Sequence, residues 1–327
     1  MSKVFVTRKI PQVCLDLLKG SDFSLWEEDR VIPRDILLER VKGAEAVLSL
    51  LTDKMDGELM EAAGPQLKII SNYAVGFDNI DVTEATKRKI YVSNTPGVLT
   101  EAVAEQAFAL MLSIARRIPE SDQFTKAGKY QGWEPELLLG TELKSKTLGV
   151  VGLGRIGSRV AEMASKGMGM KVLYFDVKPS AEFEKEFQAT FKDLDSLLKE
   201  ADFVSIHVPL LPATKHLING EKLKLMKPTS YLINTSRGPI VEEAALVEAL
   251  KAGTIRGAAL DVFENEPQLS PGLAELRNVV LTPHTASATE EARGAMATLA
   301  AQAILDALAG KVPANLVNQE LAGGKPL

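Results

Sequence analysis

The feature that most constrains this chain is the run Gly152-Leu153-Gly154-Arg155-Ile156-Gly157, set between the apolar stretch Leu148–Val151 and a helical pattern. Three glycines at this spacing are a weak signal by themselves. Here a second apolar strand, Val172–Phe175, follows and ends in Asp176, about 20 residues past the last glycine. Strand, glycine turn, helix, strand and acid together describe a βαβ unit that binds a dinucleotide. Gly152 permits the tight turn, Gly154 lets the backbone approach a pyrophosphate, and Gly157 lets helix and strand pack closely. The helix N-terminus offers unpaired N–H groups and a partial positive charge to the phosphates. Asp176 is placed to accept hydrogen bonds from the adenosine ribose and to repel an extra phosphate, which favours NAD. Lys178 can receive that phosphate and leaves NADP open. FAD and S-adenosylmethionine use similar turns, although FAD turns usually lie at the N-terminus and this one is mid-chain.

The surrounding pattern extends the α/β reading in both directions. Before the glycine run, strands are predicted at Lys3–Val6, Phe23–Leu25, Ala46–Leu50, Lys68–Ser71 and Tyr91–Ser93. Helical segments lie between them, opened by Pro11 and Pro33, where a missing N–H does no harm. After it come strands at Lys171–Phe175, Phe203–Val208, Ser230–Asn234, Ala258–Val262 and Val279–Thr282, with helices at Ile156–Ser165, Asp193–Lys199 and Glu242–Ala252. Alternation of this kind makes parallel sheets covered by helices on both faces. Thr95-Pro96-Gly97 breaks the pattern. Thr100 is expected to cap a helix that runs to about Arg117, ahead of Pro119. Its apolar residues cover more than one face, which places it between domains or subunits. A last helix spans about Thr289–Gly310. The expected architecture is two doubly wound parallel-sheet domains. One is discontinuous, residues 1–98 plus 288–327, and the dinucleotide-binding domain is 99–287.

Composition excludes several classes. With 327 residues, 46% hydrophobic and 25% charged, the chain can bury two cores. A net charge of −5 and no basic stripe argue against nucleic acid as a partner. Cys14 is the one cysteine, so there is no internal disulfide and no zinc cluster, which fits a reducing compartment. The opening Met1–Lys9 lacks the long apolar stretch of a signal peptide. Ala102–Ile118 is interrupted by Glu105, Gln106 and Ser113, unlike a membrane span. The expected setting is the cytoplasm, with no membrane partner and no bound metal.

Three histidines are available for chemistry. His207 falls inside a predicted strand and reads as packed. His216 lies in a polar stretch and reads as surface. His284 follows the strand ending Leu281-Thr282-Pro283, where ligands of open α/β sheets bind. Position alone leaves His284 open between a catalytic and a structural role. Arg237, in Asn234-Thr235-Ser236-Arg237-Gly238, follows another strand end. Its guanidinium can grip a carboxylate with two parallel hydrogen bonds. Glu266, in the run Asp261–Pro267, follows a third. Each alone reads as a surface group. Together they put an anion grip, an acid and an imidazole at three strand ends of one sheet.

These motifs resemble the D-2-hydroxyacid dehydrogenase family, nearest its glyoxylate/hydroxypyruvate reductase branch. The similarity rests on Gly152–Gly157, Asp176, His207-Val208-Pro209, Asn234–Gly238, Asp261–Glu264, Glu266-Pro267 and Thr282–His284. The loop Asn72–Asp81 and the stretch Gly132-Trp133 to Leu138–Gly140 add to it, so the resemblance covers essentially the whole chain. It implies a Rossmann domain, a flavodoxin-like substrate domain and a homodimer, with Trp133 reaching the neighbouring subunit's site. It implies that Arg237 orients the 2-oxo acid, that His284 gives the proton to the carbonyl, and that Glu266 pairs with His284. A neighbouring carboxylate favours the protonated imidazole. The amides of Val75 and Gly76 would hold the substrate carboxylate, with Leu51 and Ser287 as further contacts. Arg155 and Ile156 would meet the pyrophosphate. Val208, Pro209, Thr235 and Asp261 would line the nicotinamide side. Thr100, Val177, Lys178, His207, Thr214, Ser236 and His284 complete the expected cofactor set.

The same resemblance supplies rivals. The phosphite dehydrogenase branch uses the same Arg/Glu/His set but carries a lysine where Val75 stands. Formate dehydrogenases pair their histidine with a preceding glutamine, where this chain has Pro283. Phosphoglycerate dehydrogenases often add a regulatory domain for which this chain is too short. Corepressors that sense NAD keep the triad and bind without turnover. Leu50, Leu51 and Trp133 suit a small uncharged tail, as in glyoxylate or hydroxypyruvate.

Overall fold

The computed structural model describes residues 3–323. In chain order its elements begin with β1 (Val4–Val6), α1 (Gln12–Leu18), β2 (Phe23–Leu25), α2 (Arg34–Arg40), β3 (Ala46–Ser49), α3 (Gly57–Ala63), β4 (Ile69–Asn72), α4 (Val82–Lys87) and β5 (Tyr91–Ser93). They continue with α5 (Thr100–Ala115), α6 (Ile118–Lys126), β6 (Thr147–Val151), α7 (Arg155–Glu162), β7 (Lys171–Phe175), α8 (Ala181–Phe187), β8 (Thr190–Phe191), α9 (Leu194–Glu200) and β9 (Phe203–Ile206). The last are α10 (Gly220–Leu225), β10 (Tyr231–Asn234), α11 (Glu243–Lys251), β11 (Gly257–Leu260), β12 (Val279–Leu281) and α12 (Glu290–Leu308). The chain divides into two compact units, Met1–Leu99 with Ala288–Leu327, and Thr100–Ser287.

The first unit is a flavodoxin-like sheet in the order β2-β1-β3-β4-β5, with every pairing parallel. Its central strands are buried on both faces, so β3 reads Ala-Val-Leu-Ser with no polar alternation. One face is filled by Phe5, Leu37, Val47, Leu59, Met60 and Ile70. α1 and α12 pack against each other, and α12 also lies on β3 and β4. The buried side of α12 is mostly alanine (Ala292, Ala297, Ala300, Ala301 and Ala303 beside Met296 and Ile304), which lets the helix lie close to its neighbours. Ser71 Oγ donates to the Ala300 carbonyl at 3.0 Å and Tyr73 Oη to that of Arg293 at 2.8 Å. Cys14 is wholly buried, and burial pushes its thiol up to about 12. It is inert packing.

The second unit is a Rossmann sheet, β12-β11-β10-β9-β6-β7-β8, again wholly parallel. Counted from β6, the strand order reverses between β6 and β9, and ligands of open sheets bind at such a reversal. Two apolar layers cover the sheet, one around Leu197, Leu232, Leu246 and Leu250, the other around Met111, Val160, Tyr174 and Phe203.

Several local expectations change. Thr100 is the first helical residue of α5 rather than its cap. The apolar faces of α5 are not left for another subunit: Ala104, Ala107, Phe108, Met111 and Ile114 are buried in this unit's own core. Pro119 does not end a helix but sits in the first turn of α6, after Arg117 turns into the left-handed region at φ 55°. The α-helix from the glycine turn ends at Glu162 and passes into a wider π-type turn, Met163–Gly167. Among the described residues no helix is long and apolar enough to cross a membrane.

Candidate active site

The glycine turn is built as its sequence requires. Gly152 has φ 98°, and a Cβ there would lie 2.8 Å from the His207 backbone. A Cβ on Gly157 would come within 2.0 Å of the Gly152 carbonyl oxygen, so only glycine lets α7 start this close to β6. A Cβ on Gly154 would meet nothing within 4 Å. Gly154 is also the N-cap of α7, and no side chain caps that end. An uncapped helix start beside open space suits a diphosphate. Asp176 Oδ2 accepts from the Leu153 amide at 2.6 Å, so the acid ties the end of β7 to the glycine turn. Its other oxygen takes the Val177 amide at 2.6 Å. Val177 is 95% exposed, an apolar side chain left in water beside the turn, and Lys178 is exposed too.

Across the reversal, β9 ends at Ile206, one residue short of His207, which therefore lies past the strand. Its Nε2 is 2.8 Å from Ser205 Oγ, and its Nδ1 is buried without a hydrogen-bond partner. Burial pushes His207 down to about 4, so the ring is neutral at physiological pH. Ser236 Oγ donates to the Val208 carbonyl and joins the ends of β9 and β10. Thr214 Oγ1 donates to the Pro209 carbonyl at 2.6 Å and closes the loop after Val208-Pro209. Thr235 Oγ1 is buried and unpartnered.

The reactive groups gather at the ends of β10, β11 and β12. Asn234 Nδ2 donates to the Arg237 carbonyl at 3.0 Å, and its Oδ1 accepts from Ser236 N at 3.0 Å, shaping the turn that presents Arg237. Gly238 is required next: a Cβ there would lie 1.9 Å from the Phe263 carbonyl carbon. That close approach brings the Arg237 turn against the segment holding Glu266. His284 Nδ1 and Glu266 Oε2 are 2.9 Å apart, with side chains 26% and 31% exposed. Glu266 Oε1 accepts from the Phe263 amide at 3.0 Å. Burial pushes the Glu266 carboxyl up, but the hydrogen bond and charge of His284, the Phe263 amide and the Arg237 charge outweigh it and hold it below the usual range.

Asp261 shows why His284 sits where it does. Its fully buried carboxylate accepts from Thr285 N at 2.9 Å, Ala286 N at 2.8 Å and Thr282 Oγ1 at 2.5 Å. Its carbonyl accepts from His284 N at 2.8 Å. These bonds hold His284 at φ 53°, a left-handed conformation that few non-glycine residues adopt. Sequence reasoning gave Asp261 a place beside the cofactor and missed this organising role, although an Asp facing a Thr-Pro-His-Thr turn is a usable signal. It also placed His216 on the surface. His216 is half-buried, with Nε2 2.5 Å from Glu264 Oε1. The other Glu264 oxygen accepts from Glu243 N at 3.0 Å, which braces the segment leading to Glu266.

In the first unit, the loops after β3 and β4 carry Leu51, Val75 and Gly76. Asn94 Nδ2 donates to the Val75 carbonyl at 2.7 Å and Asn72 Nδ2 to that of Gly76 at 2.9 Å. Among the described residues, neither amide of this pair donates a hydrogen bond. Two adjacent backbone donors at a strand end suit a carboxylate. Thr100 and Ser287 fall at the two ends of the second unit's span.

A wholly parallel Rossmann sheet with a histidine–carboxylate pair and an arginine at its strand ends defines a nucleotide-dependent oxidoreductase of the two-domain α/β class. The profile of the D-isomer specific 2-hydroxyacid dehydrogenase NAD binding domain matches residues 108–286, and the chain belongs to that family. It is 51% identical to the glyoxylate reductase of Thermococcus litoralis, over 99% of each chain. A crystal structure from Thermus thermophilus is similar with a TM-score of 0.91 and 42% identity, over 96% of this chain and 99% of that one. An NADPH-dependent glyoxylate/hydroxypyruvate reductase from Sinorhizobium meliloti, solved with NADP and malonate, has a TM-score of 0.84 and 33% identity over 96% of each chain.

Proposed function

We propose that this chain reduces a small 2-oxo acid, glyoxylate or hydroxypyruvate, to the D-2-hydroxy acid with NADH, with NADPH as the alternative cofactor. The observation that carries the reading is the 2.9 Å His284–Glu266 pair. The Arg237 charge is near enough to act on it, at the carboxyl end of the sheet that holds the glycine turn. Gly152, Gly154, Arg155, Ile156 and Gly157 hold the pyrophosphate, and Asp176 and Val177 hold the adenosine half. A bound reduced nicotinamide supplies the hydride that the second carbon receives. Val208, Pro209 and Thr235 border its ring. Arg237 grips the substrate's carboxylate and carbonyl as a planar fork, which a lysine does not match. Within the first unit, the adjacent amides of Val75 and Gly76 suit a carboxylate.

His284 gives its proton to the carbonyl oxygen as negative charge builds there. Glu266 stabilises the protonated ring and fixes its tautomer from the Nδ1 side. Asp261 acts through His284 as a positioning residue. After release of the alcohol, solvent reprotonates the imidazole.

We place the homodimer contact on the segment of Trp133, which the resemblance implicates, and not on the faces of α5. Helix α6 has no buried residue, and the stretch after it exposes Tyr130, Leu139 and Trp133, the last at 82%. Apolar side chains at that density mark a surface that a second copy covers. A cytoplasmic setting accords with the single buried cysteine.

Following NADH and NADPH oxidation with glyoxylate, hydroxypyruvate, pyruvate, 2-oxoglutarate and phosphite tests the substrate. The first two should turn over fastest. Binding of NADH with no turnover of any 2-oxo acid would contradict the proposal.

A further inference from the structure

In the first unit, the two amides of the loop after β4 are aimed by the residues that follow β5. In a trans peptide the N–H points opposite to the C=O of the same planar group. The peptides here are trans. The Gly76 N–H shares its plane with the Val75 carbonyl, and the Val75 N–H shares its plane with the Ala74 carbonyl. Both carbonyls are held from one side. Asn94 Nδ2 donates to the Val75 carbonyl at 2.7 Å, and the Thr95 amide donates to the Ala74 carbonyl at 2.8 Å. Residues 94 and 95 therefore fix two successive peptide planes, and the N–H groups of Val75 and Gly76 face away from them. Ala74 and Thr95 are buried, whereas Val75 and Gly76 are half-buried. Successive N–H groups turned to one side make a concavity for an anion.

The support behind Asn94 is itself fixed. β5 is an edge strand of the sheet, and residues 315–318 complete its outer side. Asn315 Nδ2 donates to the Asn94 carbonyl, Ser93 bridges Leu316 in antiparallel fashion, and the Val317 amide donates to the Val92 carbonyl at 2.7 Å. Asn318 Oδ1 accepts from the Val92 amide at 2.9 Å, and its Nδ2 donates to the Ile90 carbonyl at 2.9 Å. The two clamped planes differ in one respect. Thr95 holds its plane through the backbone, which survives a substitution. Asn94 holds its plane through a side chain, which does not.

We propose that Asn94 is a positioning residue for carboxylate binding: by holding the Val75 carbonyl it aims the Gly76 amide, beside that of Val75, at the carboxylate of the 2-oxo acid. The assignment rests on the function proposed above. Asn94 touches the peptide and not the substrate. Without its side chain the plane between Val75 and Gly76 is free to turn, and one of two adjacent donors loses its direction. The His284–Glu266 pair is carried by the second unit's own strand ends. The change therefore falls on carboxylate binding and spares proton delivery.

The test is the separate measurement of KM and kcat for glyoxylate at saturating NADH, in the full-length wild-type protein and in Asn94→Leu, which keeps the bulk of the side chain and removes its donor. A bond to a carboxylate made equally before and during the reaction acts on KM and leaves kcat alone. KM should rise about tenfold, the lower end for a hydrogen bond to a charged group, because the amide is misdirected and not removed. NADH affinity should be unchanged. A KM within about threefold of wild type, by the same scale, overturns the assignment. So does a fall in kcat at constant KM, which is the mark of a variant that is only partly folded. If Asn94→Leu does not fold, Asn94→Ala carries the same comparison, and an unchanged KM there overturns it too. A wild-type protein that reduces no 2-oxo acid overturns the function and this assignment with it. An unchanged KM in an active variant overturns the Asn94 assignment alone.

Discussion

Replacing Glu266 by Gln keeps the shape of the group facing His284 and removes its charge. The pair is 2.9 Å apart, and a hydrogen bond between charged partners contributes about 1.5–3 kcal/mol. The lower end applies, because the side chains keep 26% and 31% of their exposure and water screens them. About 1.4 kcal/mol added to a barrier is tenfold in rate. The hydrogen bond and charge of His284 help to hold the Glu266 carboxyl below its usual range, so Glu266 faces the ring as a carboxylate. In Glu266→Gln, kcat/KM for glyoxylate reduction should fall about tenfold. The assay is NADH oxidation under kcat/KM conditions, with unfolding monitored in parallel. A kcat/KM within about threefold of wild type in a folded variant, by the same scale, would refute the electrostatic role and leave Glu266 as packing.

Asp176→Ala should move cofactor preference towards NADPH by at least about tenfold in the ratio of kcat/KM values, since an acid at this position repels the additional phosphate. An unchanged ratio would mean that the carboxylate serves only to hold the Leu153 amide. By light scattering at micromolar concentration the protein should be a dimer, and Trp133→Asp should weaken it. A wild-type monomer would contradict the proposed role of the exposed segment after α6.

Much of this was legible before any coordinates because the signals were local. The glycine turn, the continuous apolar strands and the start of the last helix near Thr289 are set by neighbouring residues, and each lies where its pattern places it. α6 was missed because Pro119 was taken as a terminator, while a proline in a first turn is equally compatible with a helix start. α8, capped by Ser180, and α10, capped by Asn219, each bury a single residue, Phe183 and Leu223, and so show no apolar stripe. α5 was misjudged for the opposite reason. A helix apolar on several faces is buried, but sequence does not say whether its own core or another copy buries it, and here its own core does. At the candidate site, local patterns gave the residue types, and the Glu266–His284 pairing came only from the family resemblance. Glu266 and His284 meet across 18 residues of chain, and Asp261 reaches forward to organise the His284 turn. Such pairings depend on strand order, which no local pattern encodes.

The central claim is that His284 delivers the proton in reduction of a 2-oxo acid. Turnover of glyoxylate by His284→Asn, measured beside NADH binding to the same variant, tests it most directly. The account predicts a loss of roughly 10²–10⁴-fold in kcat with NADH affinity preserved. Turnover near the wild-type rate would contradict it.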